Sequence, residues 1–116
     1  MSETFQEPSA EELETFFQYL RIPSVSARAH HAGDVRSCAE WLNTLLRGWG
    51  LDSRVHETRG APVVVAKSTA QPGKKTILLY GHYDVQPVEP LDYWNSPPFE
   101  PCVRDGFVYA RGATDN

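Results

Sequence analysis

Apolar residues recur at helical spacing in two segments near the N-terminus. Residues 9–12, Ser-Ala-Glu-Glu, form a capping box that predicts the start of a first helix. The apolar face of that helix is Leu13, Phe16, Phe17 and Leu20. The segment at residues 22–26 ends it. A second helix is predicted over about residues 34–49. Its apolar stripe is Val35, Cys38, Ala39, Leu42, Leu45, Leu46 and Trp49. Both stripes are typical of core packing.

Short apolar segments after residue 50 predict strands. Residues 51–57 and 62–67 fit two strands around a turn at residues 59–60. Residues 76–80, Thr-Ile-Leu-Leu-Tyr, are apolar and are followed by Gly81, a pattern typical of a buried strand that opens into a loop. Near the end of the chain, an Asp-Gly turn precedes a short strand of Phe-Val-Tyr. Helical and strand patterns therefore both occur in this chain.

A histidine and a carboxylate follow the apolar run at residues 76–80. Side chains alternate along an extended segment, so His82 and Asp84 lean the same way if the strand geometry continues to Asp84. Neutral imidazole is the commonest protein ligand for zinc, and such a ligand usually needs a carboxylate or carbonyl to hold its ring. His82 fits the first role and Asp84 the second. The alternative is a histidine at the end of a strand, paired with a nearby aspartate.

A second candidate ligand lies at the end of the chain. Asp115 follows the predicted strand and a loop of small residues, in which Gly112 and Ala113 allow a close approach of the backbone. Asp115 is therefore a carboxylate that follows a strand. The alternative is an aspartate that caps a loop or a helix.

Three ordered blocks, together with these candidate ligands, resemble a known family. The blocks are residues 78–87 (Leu-Leu-Tyr-Gly-His-Tyr-Asp-Val-Gln-Pro), 94–101 (Trp-Asn-Ser-Pro-Pro-Phe-Glu-Pro) and 106–116 (Gly-Phe-Val-Tyr-Ala-Arg-Gly-Ala-Thr-Asp-Asn). They resemble the co-catalytic zinc metallopeptidases that include carnosinase, cytosolic non-specific dipeptidase, succinyl-diaminopimelate desuccinylase and acetylornithine deacetylase. Tyr83, Gln86 and the tryptophan block are more similar to the dipeptidase branch. The segment at residues 22–26 also resembles this family.

The resemblance implies a fold and a set of roles. The fold class is α/β, with residues 1–116 forming the incomplete N-terminal part of a three-layer α/β/α catalytic domain of the zinc-exopeptidase type with a mixed sheet. His82 is implied as a metal ligand and Asp115 as the carboxylate that bridges two metals. Asp84 is implied as the catalytic-centre acid that holds the His82 imidazole. The implied cofactors are two divalent metal ions, zinc first, with manganese or cobalt also accepted by such ligands.

The same resemblance limits what the chain can do alone. In the family, the general base and the remaining ligands follow the aspartate-asparagine pair at residues 115–116. We therefore expect the complete protein to hydrolyse dipeptides or related small amides, and the isolated 116-residue chain to be inactive. The alternative is a truncated, non-catalytic chain that binds or regulates an intact relative. The sequence leaves open whether the complete protein is a homodimer, as relatives often are.

Composition narrows the class of protein and its partners. The chain is 41% hydrophobic with a net charge of −4, and it carries no basic patch, so nucleic acid is not an expected partner. No apolar run approaches 18 residues and residues 1–4 do not form a secretion signal, so we expect no membrane insertion and a cytoplasmic location. Cys38 and Cys102 are expected to be free thiols. A small peptide is the expected binding partner.

Several other residues are expected to be structural. His30 and His31 are expected in a surface loop, and His56 in a half-exposed strand. Arg111 is expected to brace its loop through an ion pair. A sheet that is cut after Asp115 should leave apolar edges uncovered, so we expect the isolated chain to be marginally stable or to aggregate.

Overall fold

The computed structural model describes residues 5–115, and it begins with the predicted capped helix. Helix α1 spans Ala10–Leu20. The Ser9 amide donates to Glu12 Oε2 at 2.7 Å and the Glu12 amide donates to Ser9 Oγ at 3.1 Å, so the capping box is confirmed. Leu20, at the end of the helix, is its buried residue.

The second helix begins slightly earlier than the sequence predicts. A short 3₁₀ turn at Ala29–His31 leads directly into helix α2, Ala32–Gly48. Its buried residues are Val35, Cys38 and Ala39, all within the predicted stripe. The prediction of core packing is wrong for Trp49 at the end of that stripe, which is 67% exposed. The chain reverses after the helix at Gly50, whose φ of 85° favours glycine.

Helix α2 packs against a β-hairpin. Strands β1 (Asp52–His56) and β2 (Val63–Lys67) pair antiparallel, with Val55 opposite Val64. Arg47 Nε, in the last turn of α2, donates to the Ser53 carbonyl at 2.8 Å. The predicted pair of strands is confirmed, with bounds shorter by one or two residues.

A second hairpin lies near the end of the chain. Strands β3 (Cys102–Arg104) and β4 (Phe107–Tyr109) pair antiparallel across the predicted Asp-Gly turn. Asp105 and Gly106 have φ values of 51° and 80°, which the turn requires. Strand β4 was predicted and β3 was not, because three residues after a proline show no readable alternation.

The apolar run at residues 76–80 does not form the predicted buried strand. It lies in no strand, and its apolar side chains are almost fully exposed. Their exposed fractions are Ile77 80%, Leu78 90%, Leu79 88% and Tyr80 93%. The physical reason is that no strand within residues 5–115 pairs with this segment, so its hydrogen-bonding edges and apolar faces have nothing to pack on.

The buried core is small and lies around the loop that follows this run. Its apolar members are Leu20, Val25, Val35, Cys38, Ala39 and Val85. Val25 and Val85 form a parallel bridge, whereas both hairpins are antiparallel. Helices packed with strands confirm the α/β class. Both cysteines are free thiols, and Cys38 is fully buried as expected.

The described residues form a flat and incompletely packed unit. The radius of gyration is 16.4 Å, against about 13 Å for a compact domain of about 100 residues. Within residues 5–115, no helix is long and apolar enough to cross a membrane.

Candidate functional site

The loop that carries the candidate ligands is anchored by backbone pairing at one end. The Val85 amide donates to the Ser24 carbonyl at 3.0 Å, next to the bridge between Val25 and Val85. Gly112 packs against Val85, and a Cβ added to Gly112 would lie 3.0 Å from Val85 Cγ1. The φ of Gly112 is 84°. The segment after α1 and the loop before Asp115 thus meet at Val85.

One backbone carbonyl between the two candidate residues collects several donors. The Tyr83 carbonyl accepts from Ser24 Oγ at 2.8 Å, from Tyr19 Oη at 3.2 Å and, weakly, from Cys38 Sγ at 3.8 Å. Burial raises the pKa of Tyr19 to about 12 and that of Cys38 to about 11. Both groups therefore keep their protons at neutral pH and remain donors, which holds the peptide between His82 and Asp84 in place.

Asp84 holds the His82 ring. Nδ1 of His82 lies 2.8 Å from Asp84 Oδ1, and Ser26 Oγ donates to Asp84 Oδ2 at 2.5 Å. Burial would raise the pKa of Asp84, but the hydrogen bonds from Ser26 and His82 outweigh it and lower this pKa overall. An ionised carboxylate only accepts hydrogen bonds, so Nδ1 carries the proton. Nε2 is then the nitrogen that such a ring offers to a metal.

Arg111 joins the two candidate ligand loops, but not through the predicted ion pair. Its Nη2 donates to the Pro87 carbonyl at 3.0 Å, and its guanidinium lies 4.9 Å from the centre of the Trp94 ring. Its amide donates to the Pro98 carbonyl at 2.8 Å. No described carboxylate pairs with Arg111. The arginine braces the loops through carbonyl groups and an aromatic face, which residue type alone does not reveal.

Asp115 is the last of the described residues. Its side chain is exposed and lines an open cavity of about 500 Å³ together with Trp94 and Arg104. Asn116, the last residue of the third block, falls outside the described residues, as do residues 1–4. In the described part of the chain, no three or more His, Cys, Asp or Glu side chains are placed to hold a metal ion. The structure therefore brings His82 and Asp84 together.

The other histidines, His30, His31 and His56, lie at the start of α2 and on β1. His31 Nδ1 lies 2.7 Å from Asp34 Oδ2, and the rings of His30 and His31 are 4.3 Å apart at the start of α2. His56 is exposed on β1. His30 and His31 thus lie in a 3₁₀ turn rather than in a loop, and His56 lies in the predicted strand but is exposed rather than half-exposed.

Sequence reasoning missed the residues that support the loop from α1 and the segment after it. Tyr19, Ser24 and Ser26 all hydrogen-bond to residues 83–84. The signal that could have found the two serines is the Ile-Pro-Ser-Val-Ser segment, which was interpreted mainly as the end of a helix. Tyr83 also anchors the loop, since its hydroxyl donates to the Pro62 carbonyl at 2.6 Å.

The donor chemistry of these residues fits a divalent metal, although their number is too small for a complete site. An imidazole whose Nδ1 is held by a carboxylate is the usual form of a histidine zinc ligand. An exposed carboxylate such as Asp115 suits zinc, manganese or cobalt. A catalytic zinc takes about three protein ligands, so further donors are needed beyond His82 and Asp115.

Comparison with known proteins agrees with this chemistry. Residues 78–116 match the profile of the peptidase family M20/M25/M40. The chain is 36% identical, over 91 residues, to succinyl-diaminopimelate desuccinylase from Burkholderia multivorans, an alignment that covers 77% of this chain and 24% of that protein. The chain thus spans about a quarter of the length of that curated relative.

Solved structures show the same fold. The M20 family metallo-carboxypeptidase Sso-CP2 from Sulfolobus solfataricus superposes with a TM-score of 0.83 and 38% identity, covering 93% of this chain and 24% of that one. Human carnosine dipeptidase 1 superposes with a TM-score of 0.80 and 27% identity, covering 90% of this chain and 24% of that one. The matched blocks contain His82, Asp84 and Asp115, and the fold is that of these peptidases over most of the chain. The profile match, the sequence relatives and the superposed structures together support the peptidase family M20/M25/M40 for this chain.

Proposed function

We propose that this chain is the N-terminal part of a metal-dependent hydrolase that cleaves dipeptides or related small amides at a two-metal centre. The observation that carries the proposal is the contact between His82 Nδ1 and Asp84 Oδ1 at 2.8 Å, inside the block that matches the peptidase family. A surface ion pair does not need the dense support that this loop receives from the Tyr83 carbonyl and the Val85 bridge.

Each candidate residue has a defined part in this proposal. His82 binds one metal through Nε2, while Asp84 keeps the Nδ1 proton in place and makes the ring a better ligand. Asp115 bridges the two metals, because two close dications repel and need an anionic group between them. Two such metals, zinc by preference, polarise the scissile carbonyl and activate a water. The general base and the remaining ligands would come from residues after Asn116, so the 116-residue chain alone would be inactive.

The substrate class rests on the structural relatives. A metallo-carboxypeptidase and a carnosine dipeptidase are among the structures that superpose well, whereas a desuccinylase is among the curated sequence relatives. Tyr83 and the tryptophan block favour the dipeptidase branch. We therefore propose a small peptide as the substrate, in a cytoplasmic protein whose two cysteines are free thiols.

Activity of the complete protein tests the proposal. Purified with zinc, it should hydrolyse dipeptides with a higher kcat/KM than an N-succinylated diamino acid. The substitution His82→Ala should lower kcat/KM by more than about 100-fold, since losing only an outer partner of a metal ligand already costs about 10–100-fold.

The matched control is His56→Ala, because His56 is also an exposed histidine but lies on β1. It should leave kcat/KM unchanged. Full dipeptide turnover by His82→Ala would refute the metal-ligand role, and a preference for the succinylated substrate would move the protein to the desuccinylase branch.

A second candidate function is that the chain acts by itself as a non-catalytic partner of an intact relative. The exposed apolar side chains at residues 77–80 favour it, because they belong to an unpaired apolar segment that another protein could cover. Mixing the chain with an intact relative should then give a complex on size exclusion and a changed kcat/KM. Separate elution with unchanged activity would contradict this function.

A further inference from the structure

We propose that Ser26 is a positioning residue for the candidate metal ligand His82, acting through Asp84. Ser26 Oγ donates to Asp84 Oδ2 at 2.5 Å, while Asp84 Oδ1 lies 2.8 Å from His82 Nδ1. The three side chains form one chain of hydrogen bonds that ends on the imidazole. This inference rests on the proposed function only in taking His82 as a metal ligand, because the contacts themselves involve no metal.

The backbone places Ser26 where it can reach Asp84. After α1 ends, the Val25 amide donates to the Pro23 carbonyl at 2.7 Å, and Val25 then bridges Val85 in parallel. Val25 and Val85 are both buried. Ser26 is one residue after Val25, and Asp84 is one residue before Val85, so the buried pair fixes the separation of the two side chains.

The second anchor on the carboxylate restricts its rotation. A carboxylate held at one oxygen can still turn about the bond between its Cβ and Cγ atoms and carry the imidazole with it. With Oδ2 held by Ser26 and Oδ1 on the ring, the plane of Asp84 is set at both ends. The ring of His82 then keeps its proton on Nδ1 and its direction, as an outer partner of a metal ligand requires.

Ser26 differs from its neighbour Ser24, whose role is structural. Ser24 is fully buried and its hydroxyl donates to the Tyr83 carbonyl at 2.8 Å, so its loss disturbs packing. Ser26 is exposed, and its side chain donates only to Asp84 in the described part of the chain. Removing the Ser26 hydroxyl should therefore loosen the orientation and the tautomer of the His82 ring, with little effect on folding.

Nitrogen NMR of the 116-residue chain tests the geometry without a metal. The chain is labelled with ¹⁵N-histidine and studied in metal-free buffer at about pH 8.5, above the usual imidazole range. One dominant tautomer gives two well separated ring nitrogen signals for His82. In Ser26→Ala these signals should move toward each other, and Ser26→Thr should restore the separation. The control Ser37→Ala removes another exposed hydroxyl, which donates to the Gly33 carbonyl at 2.9 Å in α2, and should change nothing.

The zinc affinity of the complete protein is the second measurement. It also tests the role of Ser26 if the 116-residue chain aggregates. In competition with a chelator, Ser26→Ala should weaken zinc binding about tenfold, the lower end of the range for outer partners. Ser26→Thr should restore the affinity, and Ser37→Ala should leave it as in the wild type.

The outcomes separate the inference from the proposed function. Unchanged His82 signals in Ser26→Ala, or unchanged zinc affinity of the complete protein, would overturn the role of Ser26 even if His82→Ala abolishes activity. Changed His82 signals in a complete protein that hydrolyses no dipeptide would keep the positioning role and overturn the proposed substrate.

Discussion

Residues 78–80 and residues 82–85 are neighbours in the chain and belong to the same matched block, yet their surroundings are opposite. Leu78 and Tyr80 are about nine-tenths exposed, whereas Val85 is only 6% exposed. The second segment finds its partners within this chain, in α1, α2 and the segment at residues 22–26. The first segment finds none among residues 5–115. The support for His82 is thus local, while the strand that leads to it needs packing from elsewhere.

The largest effect should come from shortening the buried Leu20 of α1, compared with the same change at the exposed Leu78. Leu20→Ala should destabilise the chain by about 2–5 kcal/mol, because Leu20 is 2% exposed and its loss leaves a cavity beside the loop. The matched change Leu78→Ala should alter the free energy of unfolding by less than about 0.5 kcal/mol. Urea denaturation followed by circular dichroism measures both. Equal losses for the two variants would mean that residues 77–80 are buried in solution.

Gly112 offers a smaller effect, at the point where the loop before Asp115 contacts Val85. Gly112→Ala should cost about 1–3 kcal/mol, since the residue has a φ of 84° and a new Cβ would lie 3.0 Å from Val85 Cγ1. The control is Gly33→Ala in α2, which has nothing within 4 Å of its added Cβ. That variant should gain about 0.5–1 kcal/mol, because alanine favours a helix. A Gly112→Ala chain as stable as the wild type would place this loop away from Val85.

The smallest expected effect lies outside both regions, in the ion pair between α2 and the hairpin. Arg36 donates to both Glu57 oxygens at 2.8 and 2.7 Å, and these hydrogen bonds lower the pKa of Glu57 from its usual 4.5. A carboxylate whose pKa is lower in the folded state than in the unfolded state stabilises the fold at pH values above its unfolded-state pKa. That stabilisation is lost as the pH falls through the folded-state pKa.

The variant Glu57→Gln should therefore be slightly less stable than the wild type at pH 7. The difference should shrink as the pH falls from the usual pKa of 4.5 toward about pH 3, since the lowered pKa is then approached. It should also shrink in about 1 M NaCl, because Glu57 is exposed and salt screens its charge. Urea midpoints at the two pH values provide the measurement. A difference that persists at pH 3 would mean that packing of the side chain, rather than its charge, is responsible.

Local patterns predicted the local structure well. The capping box at Ser9 and the turn at Asp105 and Gly106 are present as the sequence indicated, because each depends on contacts within a few residues. Helix α2 begins two residues before its predicted start because the 3₁₀ turn that ends at His31 continues into it. The short strand β3 escaped prediction because three residues carry too little periodicity.

Two tertiary features could not be read from the chain. The apolar run at residues 76–80 has the composition of a buried strand, but burial depends on the presence of a neighbour, which composition does not supply. Arg111 was expected to pair with a carboxylate and instead contacts the Pro87 carbonyl and the Trp94 ring. The Pro87 carbonyl and the Trp94 ring carry no net charge and are distant from Arg111 in the sequence, so a pattern of charges does not predict either contact.

The sequence by itself determined the family blocks, the capped first helix, the β1–β2 hairpin and the pairing of His82 with Asp84, because residue type and short spacing are sufficient for each. Only the tertiary structure decided that Ser24 and Ser26 reach residues 83–84, nearly 60 positions away, and that residues 76–80 lie in no strand. Contacts between distant segments depend on how helices and strands pack, and the spacing of residues along the chain does not encode that packing directly.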